Sequence, residues 1–290
     1  AGATRAWAKR CAKTWTRVQS SLMERFSALN LPLSLLGSCC GQDCSIAELK
    51  RIHRAQPSKR PLRQGWITDG DGWIDLFVGT FHAPGQRPSL FLRNRQGRFE
   101  PDAAETLRIS ARVTGVVFLD LDNDGDLDLY VGSMPQPKNG LVGCQLFRND
   151  GKGAFTNITK DNGACPPAFG GRSAAGLDYD GDGLLDLMVG EDPLPGYNGS
   201  PTKSSRLFRN LGGLQFEDAS RAAGIPEGIP GLGVAAADVN DDGWPDLFLA
   251  ASGGGNVLLL NDGRGKFRRA PETPGLFTWE QIGGDNMICG

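Results

Sequence analysis

The chain has 290 residues, of which 22% are charged, and a formal net charge of −2. This length allows a sizeable core in one or two domains. The net charge hides a split, because residues 1–65 carry 12 basic and 3 acidic side chains, whereas residues 66–290 carry 19 and 30. The acidic part argues against nucleic acid as a partner, and the absence of any run of 18 apolar residues argues against a transmembrane segment.

Residues 1–64 form a basic N-terminal extension that differs from the rest of the chain. Within it, Thr4–Asn30 predicts a helix, because Trp7, Trp15 and Leu22 recur near one face. An Arg-rich, Ser-containing segment with little acidity is also typical of a targeting presequence, and a membrane-surface helix is a third interpretation. We favour a poorly ordered, partly helical extension, as is common at chain termini.

Beyond residue 65, an acidic turn recurs four times, each time between two apolar strands. We name these turns loop one to loop four in chain order: Thr68–Gly79, Asp120–Gly132, Asp178–Gly190 and Asp238–Ala250. Their central glycines (Gly72, Gly125, Gly183 and Gly243) are 53, 58 and 60 residues apart. Self-similarity at a period of this size predicts a repeat architecture.

Each loop carries oxygen atoms at alternate positions. Numbered from Asp120, loop two has carboxylates at positions 1, 3, 5 and 9, glycine at position 6, and a backbone carbonyl at position 7. Alternate residues of a tightly curled loop converge on one point, and glycine permits the sharp turn. The EF-hand calcium loop begins in the same way, but here no Glu stands at position 12 and an apolar strand begins at once.

The sequence predicts the following metal ligands, with the position 7 residue contributing its carbonyl: Asp120, Asp122, Asp124, Asp126 and Asp128 in loop two, Asp178, Asp180, Asp182, Leu184 and Asp186 in loop three, and Asp238, Asn240, Asp242, Trp244 and Asp246 in loop four. Loop one offers Asp69, Asp71 and Asp75, because position 1 is Ile67, which has no oxygen. Ligand charge tunes calcium affinity. The expected order of affinity is therefore loops two and three, then four, then one.

Calcium (Ca²⁺) is the predicted ion. Oxygen ligands without His or Cys argue against zinc and copper, and a loop of many protein oxygens suits calcium better than magnesium. The alternative is an Asp- and Gly-rich turn that satisfies its own backbone and holds no metal. Three full copies at one period favour the metal, because clustered carboxylates repel one another unless a cation lies among them.

The strands around the loops predict an all-β fold. Small apolar residues precede loops two to four, at Gly115–Leu119, Ala174–Leu177 and Gly233–Ala237. An apolar strand follows each loop, then a strand ending in asparagine, a glycine turn, and a strand with a phenylalanine. Four short strands per repeat predict the blades of a β-propeller. The small residues are expected on the crowded strand nearest the central axis.

These residues resemble a known family. The pattern D-x-D-x-D-G-x-x-D-L-x-V-G followed by L-F-R-N-x-G-x-G-x-F is similar to the FG-GAP/VCBS repeat of integrin-type propellers, over about residues 65–290. The stretch Gly176–Phe267, which includes FEDASRAAGI, most resembles the ASPIC/UnbV and cartilage acidic protein group. The resemblance implies a secreted or cell-surface, calcium-stabilised propeller for adhesion or matrix contact, usually with about seven blades.

Two parts are therefore expected, an extension over residues 1–64 and a repeat domain over residues 65–290. Four repeats are about half of such a ring, and Gly283–Gly290 resembles the lead-in to a further acidic loop. The chain also begins with Ala1 in place of Met. We expect a truncated chain with an incomplete ring of about four blades, and a closed four-bladed ring is the alternative.

The cysteines leave the redox state open. Cys39–Cys44 contains three cysteines without the paired spacing of a zinc site. Cys144 and Cys165 flank one hairpin, so that a disulfide in a secreted protein and a pair of buried free thiols are both consistent with the sequence. Two glycosylation sequons, at Asn157 and Asn198, support secretion weakly.

A non-catalytic role is expected, because the two histidines lie in unlike contexts, no G-x-S-x-G or H-E-x-x-H motif occurs, and the metal accounts for the aspartates. The favoured function is an extracellular adhesion or interaction module that binds an unknown protein or glycan. The alternative is the propeller of a lectin or polysaccharide lyase. A lectin needs exposed aromatic rings; Trp73 and Trp244 recur at position 7, where we expect packing between blades.

Overall fold

The computed structural model describes seven stretches of the chain: residues 67–80, 88–103, 105–160, 162–191, 204–229, 231–250 and 256–271. The chain divides into two compact units, Ala1–Leu36 and Gly37–Gly290, and every described residue belongs to the second. The predicted N-terminal helix, His53, His82 and the sequon at Asn198 lie outside the described residues.

The described residues form four antiparallel sheets in chain order. The first sheet contains β1 (Leu76–Val78), β2 (Leu90–Arg95) and β3 (Arg98–Pro101). The second contains β4 (Arg112–Leu119), β5 (Asp128–Met134), β6 (Gln145–Asn149) and β7 (Phe155–Asn157). The third contains β8 (Gly171–Leu177), β9 (Asp186–Glu191), β10 (Arg206–Asn210) and β11 (Phe216–Asp218). The fourth contains β12 (Gly233–Ala237), β13 (Asp246–Ala250), β14 (Val257–Asn261) and β15 (Phe267–Arg269).

Each sheet is an up-and-down meander. Loops two, three and four join the first two strands of the second, third and fourth sheets, whereas loop one leads into β1. The register shows this directly, because Leu119 pairs with Asp128 across loop two and Leu177 pairs with Asp186 across loop three. Short 3₁₀ helices at Glu105–Leu107 and Pro137–Asn139 lie outside the sheets. The position 9 aspartate of these loops is therefore the first residue of the second strand, where the ladder fixes its backbone.

The core lies between consecutive sheets. One cluster joins the first and second sheets, one the second and third, and one the third and fourth. The phenylalanines of the outermost strands of the second, third and fourth sheets pack against the preceding repeat. The ring centre of Phe155 lies 5.7 Å from that of Phe91, edge to face, and the Phe267 ring stacks 6.1 Å from the Tyr179 ring of loop three. Each such burial stabilises the fold by about 1.5–3 kcal/mol, which explains why phenylalanine recurs once per repeat.

The innermost strands require small residues, as the sequence predicts. β4 packs beside β8, and β8 beside β12. A Cβ on Gly176 of β8 would lie 2.8 Å from the Leu119 side chain of β4, which is closer than packed carbon atoms approach. The glycine and alanine residues of these strands therefore allow the sheets to approach closely.

The first sheet is less complete than the others. Four strands per repeat are confirmed for the other three sheets, whereas the first has three strands within the described residues; the segment just before loop one, which corresponds to β4, lies almost wholly outside them. No core cluster of the described residues joins the first sheet to the fourth. Nor does any helix in this part of the chain have the length and apolar character needed to cross a membrane.

Candidate metal centre

All four loops share one backbone turn. The glycine at position 6 has a positive φ in each loop, +91° at Gly125 and +85° at Gly183 for example. Side chains other than glycine avoid this region of φ. The residue at position 4 is also left-handed, with φ of 58° at Asn123 and 59° at Asp241. Two left-handed residues in a nine-residue stretch curl the loop so that its odd-numbered side chains face inward.

Loop two gathers its carboxylates around one point. Asp120, Asp122 and Asp124 each place an oxygen within 4.8 Å of the others. Asp120 Oδ2 accepts a hydrogen bond from the backbone of Gly125 at 3.1 Å, but the buried Oδ1 atoms of Asp120 and Asp122 have no hydrogen-bond partner. Buried acceptors without donors are costly. A cation among these oxygens satisfies them, so the residues present fit a divalent ion.

Loop three repeats the arrangement with a different trio of oxygens. Asp178, Asp180 and Asp186 place one oxygen each within 4.8 Å of the others. The Asp178 carboxylate accepts hydrogen bonds from the backbone of Gly181 at 2.8 Å and of Gly183 at 3.0 Å. These bonds hold the position 1 carboxylate over the loop. Loop two therefore brings together the predicted ligands of positions 1, 3 and 5, and loop three those of positions 1, 3 and 9. The fourth predicted carboxylate of each loop, Asp128 or Asp182, is not part of its cluster and stays a prediction.

The position 9 aspartates are buried at the base of the loops. Burial raises the pKa of the Asp128 carboxyl to about 7, and burial also raises the pKa of Asp186 to about 7. A raised carboxyl pKa means that the local environment disfavours the anion. A bound cation would favour the anion and so oppose this shift.

An asparagine that the sequence analysis left out supports each position 9 aspartate. The backbone N–H of Asn149 donates to Asp128 Oδ1 at 2.9 Å, and that of Asn210 donates to Asp186 Oδ1 at 2.8 Å. The Asn210 side-chain amide also donates to the Leu121 carbonyl of the preceding loop at 2.7 Å. In the same way, the Asn149 side-chain amide donates to the Thr68 carbonyl of loop one, and the Asn261 amide donates to the Tyr179 carbonyl of loop three.

We call these three side chains, Asn149, Asn210 and Asn261, the asparagine latch. Each one ties its own sheet to position 2 of the loop before it, so that loop geometry and sheet packing depend on each other. The signal was present in the sequence, since an asparagine lies at or next to the end of the strand before the last glycine turn of every repeat. What the sequence could not show is that its amide crosses to the neighbouring repeat.

Arginines lie beside loops two and three. Arg148 places Nε 3.3 Å from Asp122 Oδ2 and Nη2 3.5 Å from Asp124 Oδ2. Arg209 makes the equivalent pairs with Asp180 Oδ2 at 2.8 Å and Asp182 Oδ2 at 3.1 Å. Both arginines are partly exposed and contact only the Oδ2 atoms of positions 3 and 5. Surface pairs of this kind are worth about 0–1 kcal/mol, so they do not displace a strongly bound cation.

Loop four keeps the turn but lies more open. Asp238 Oδ2 accepts a hydrogen bond from the Gly243 backbone at 2.8 Å, as in loops two and three. The Asn240 amide donates to Asp242 Oδ2 at 2.9 Å, where the other loops have a carboxylate. Asp238 is exposed and Asp246 is buried. The arrangement retains the predicted oxygens with one charge fewer.

Loop one places its predicted ligands differently. Asp75 is buried, and its carboxylate accepts hydrogen bonds from the Thr68 hydroxyl at 2.5 Å and the Asn94 backbone at 2.9 Å. Asp69 and Asp71 both pair with Arg95, at 2.9 and 3.3 Å. The acidic clusters that suit a metal ion in the described residues are those of loops two and three.

Neighbouring loops touch one another on a common face. The Asn123 side chain of loop two donates to the Gly183 carbonyl of loop three at 2.9 Å. The Trp244 ring of loop four lies against Gly181 of loop three and Gly263, because a Cβ on either glycine would be less than 3 Å from it. Trp244 therefore packs between repeats, as expected, whereas Trp73 is 39% exposed.

The two described cysteines are free thiols. Cys144 and Cys165 belong to the core between the second and third sheets. A hydrogen bond with the Cys165 thiol is the main cause that lowers the pKa of Cys144, whereas burial raises the pKa of Cys165. The two thiols therefore interact without a disulfide, which agrees with the free-thiol alternative. A disulfide between them stays a prediction.

Four-strand meanders packed in chain order, each with an acidic loop between its first two strands, define a repeat protein of the β-propeller type. A family model of the FG-GAP-like repeat matches residues 68–131, 142–189 and 238–285, more than half of the chain. The chain belongs to the FG-GAP-like repeat family. The resemblance seen in the loop motifs is thereby confirmed.

Three relatives add to this assignment. Cartilage acidic protein 1 of Xenopus tropicalis is 26% identical over 166 residues, which cover 53% of this chain and 25% of the relative. The proteins of the same name from Mus musculus and Homo sapiens are 23% and 22% identical over 161 residues, or 53% of this chain. The matched region spans about a quarter of these relatives. The predicted similarity to the cartilage acidic protein group is confirmed.

Proposed function

We propose that this chain is a calcium-stabilised propeller module of an extracellular or cell-surface protein, and that it acts by binding a protein or a glycan and not by catalysis. The observation that carries the calcium assignment is the convergence of carboxylates in loops two and three, with buried oxygens in loop two that have no donor. Oxygen-only ligand sets favour calcium among the common biological cations.

The residues that would hold the ion are the predicted set in loops two, three and four. The side chains of positions 1, 3, 5 and 9 supply carboxylate or amide oxygens, and the position 7 carbonyl of Asp126, Leu184 or Trp244 supplies another. A bound calcium would neutralise clustered negative charge and so fix the loop. The asparagine latch would then transmit that rigidity to the neighbouring sheet.

Location and role follow from the relatives and from the affinity expected of such loops. The relatives carry the name of cartilage, an extracellular tissue, which supports an extracellular setting for this chain. Extracellular calcium modules bind at about 10⁻⁴–10⁻³ M. In that setting the loops would be largely filled and would act as structural supports for a binding face.

The surface that we propose for the partner lies beside loop two. A groove of about 790 Å³ runs between the second and third sheets, and its lining includes Asp124, Arg148, Asn157, Lys160 and Gln215. The lining offers both signs of charge and several amides next to a predicted calcium site. Such a mixture suits a polar protein surface or a glycan, since specificity in these contacts comes from placed polar groups.

The test is a binding screen of the full chain on arrays of matrix proteins and of glycans, in calcium and in chelator. Binding should require calcium and should weaken in Lys160→Glu, which reverses a charge in the groove. Lys152→Glu is the matched control, because Lys152 is exposed in the same sheet but does not line the groove. Equal losses in both variants would place the partner elsewhere, and binding that ignores calcium would contradict the proposal.

A further inference from the structure

Loop one differs from the other loops at the position that begins the ligand set. The Ile67 side chain supplies no oxygen, so loop one lacks one carboxylate where the ion would lie. In place of an ion, a guanidinium approaches the remaining oxygens. Arg93 Nη1 lies 2.6 Å from the Thr68 hydroxyl, 3.5 Å from Asp75 Oδ2 and 3.8 Å from Asp69 Oδ2.

Arg93 is held from several sides. Its Nε donates to Asp102 Oδ2 at 2.5 Å, and Nη2 donates to the Gly153 carbonyl in the hairpin of the second sheet. The guanidinium carbon lies 4.7 Å from the centre of the Phe91 ring. Arg93 is only 8% exposed. A buried guanidinium with this many partners is a fixed part of the structure and not a mobile surface group.

The equivalent arginines of the next two sheets lie differently. Arg93, Arg148 and Arg209 all directly precede the asparagine that pairs with the outer-strand phenylalanine. The Arg148 and Arg209 side chains are 53% and 36% exposed and contact carboxylates from outside the loop. The Arg93 side chain is 10% exposed and lies within loop one. Loop one also has Arg95, which covers Asp69 and Asp71.

We propose that loop one is closed by the protein's own cation: Arg93 takes the place that calcium has in the other loops, and it joins the first sheet to the second without metal. This rests on the proposed calcium binding of loops two to four. Loop one then excludes the ion, because a divalent cation would lie beside a buried guanidinium. Its connection to the second sheet persists in chelator.

Terbium luminescence tests this directly, because terbium occupies calcium sites and emits when a nearby tryptophan transfers energy to it. Loop one has Trp73 at position 7, and loop four has Trp244 at the same position. The full chain is compared with Trp73→Phe and Trp244→Phe. We expect sensitised emission to fall in Trp244→Phe and to stay unchanged in Trp73→Phe. An equal fall in Trp73→Phe would overturn the inference and leave calcium binding intact, whereas silence in all three proteins would refute calcium binding itself.

A second variant tests the role of Arg93 in joining the sheets. Leu260 stands at the equivalent place in the fourth sheet, so Arg93→Leu is the natural replacement and Arg148→Leu is the matched control. We expect Arg93→Leu to lower the melting temperature in chelator by more than Arg148→Leu does, because only Arg93 is bonded to the Gly153 carbonyl of the second sheet. Equal losses in the two variants would show that Arg93 does not join the sheets, and the inference would fail.

Discussion

Loop one and loop three share glycine at position 6 and aspartates at positions 3, 5 and 9, yet their surroundings differ. In loop three, the Asp178 carboxylate is held over the loop by the backbone of Gly181 and Gly183. In loop one, Ile67 stands in its place and Arg93 approaches the remaining oxygens. The comparison teaches that the same row of aspartates can gather into an acidic cluster or pair with arginines, depending on the position 1 carboxylate and on the neighbouring cations.

The largest expected effect comes from Asp128→Ala in loop two. The Asp128 carboxylate accepts hydrogen bonds from the backbones of Leu121 and Asn149, so alanine leaves two buried donors unpaired in addition to removing a metal ligand. We expect a loss of about 3–5 kcal/mol in the free energy of unfolding, from urea titration. Much of the loss should appear in chelator, where the two donors are unpaired, and the loss should be larger in calcium, where a predicted ligand is also gone.

Asp124→Ala is the control for this change, because Asp124 is exposed and contributes to the ion more than to the sheet. Its loss should appear in calcium alone. If Asp128→Ala and Asp124→Ala behaved identically in both buffers, the position 9 aspartate would have no role in the sheet apart from metal binding.

Next in size is Asp182→Ala in loop three compared with Asp71→Ala in loop one. A site with a dissociation constant of about 10⁻⁴–10⁻³ M stabilises the fold by about 1.4–2.7 kcal/mol at about 10 mM calcium, through mass action. Asp182→Ala should lose that amount, measured by urea titration. Asp71→Ala should leave the calcium-dependent part of the free energy of unfolding unchanged, since Asp71 pairs with the exposed Arg95. Equal calcium-dependent losses would erase the distinction between the loops.

The asparagine latch extends the comparison to the sheets. Asn210→Ala removes donors to Leu121 in the preceding loop and to Leu185 in its own. Asn94 is the penultimate residue of β2 in the first sheet, and its amide donates to the Ile74 carbonyl of loop one, within the same repeat. We expect Asn210→Ala to cost about 1–2 kcal/mol by thermal or urea unfolding, more than Asn94→Ala. The reverse order would show that the contact between repeats contributes little.

The smallest effect is expected at the contact between loops two and three. Asn123→Gly removes the hydrogen bond to the Gly183 carbonyl and keeps a residue that tolerates a positive φ. We expect calcium binding at loop three to weaken by less than about 1 kcal/mol. Calorimetry of the variant, whose loop two ligands are unchanged, measures this. Unchanged loop three affinity would mean that the two sites act independently.

The sequence was sufficient for the repeat, the strands and the loop turn, because each depends on local chemistry. Glycine at position 6, small residues before the loop and phenylalanine in the last strand are all visible in the printed sequence, and the structure places each as expected. The acidic clusters of loops two and three were likewise readable, since alternate residues of a curled loop face one point; the complete ligand sets stay a prediction.

The long-range contacts could not be read in this way. Arg93 and Arg148 occupy the same place in the repeat, and nothing near them in sequence shows that one points into its loop and the other out of it. The difference depends on Asp102 and on Gly153 of the next sheet. The asparagine latch likewise needs the position of a neighbouring repeat, which the period alone does not give.

The central claim is that cations bound by these loops stabilise the fold, and thermal unfolding of the full chain tests it most directly. Melting curves are compared in about 10 mM calcium and in chelator, with magnesium at the same concentration as the control. Each filled loop should add about 1.4–2.7 kcal/mol, so the melting temperature in calcium should exceed that in chelator by several degrees, and magnesium should restore little of the difference. Superimposable curves in calcium and chelator would contradict the account.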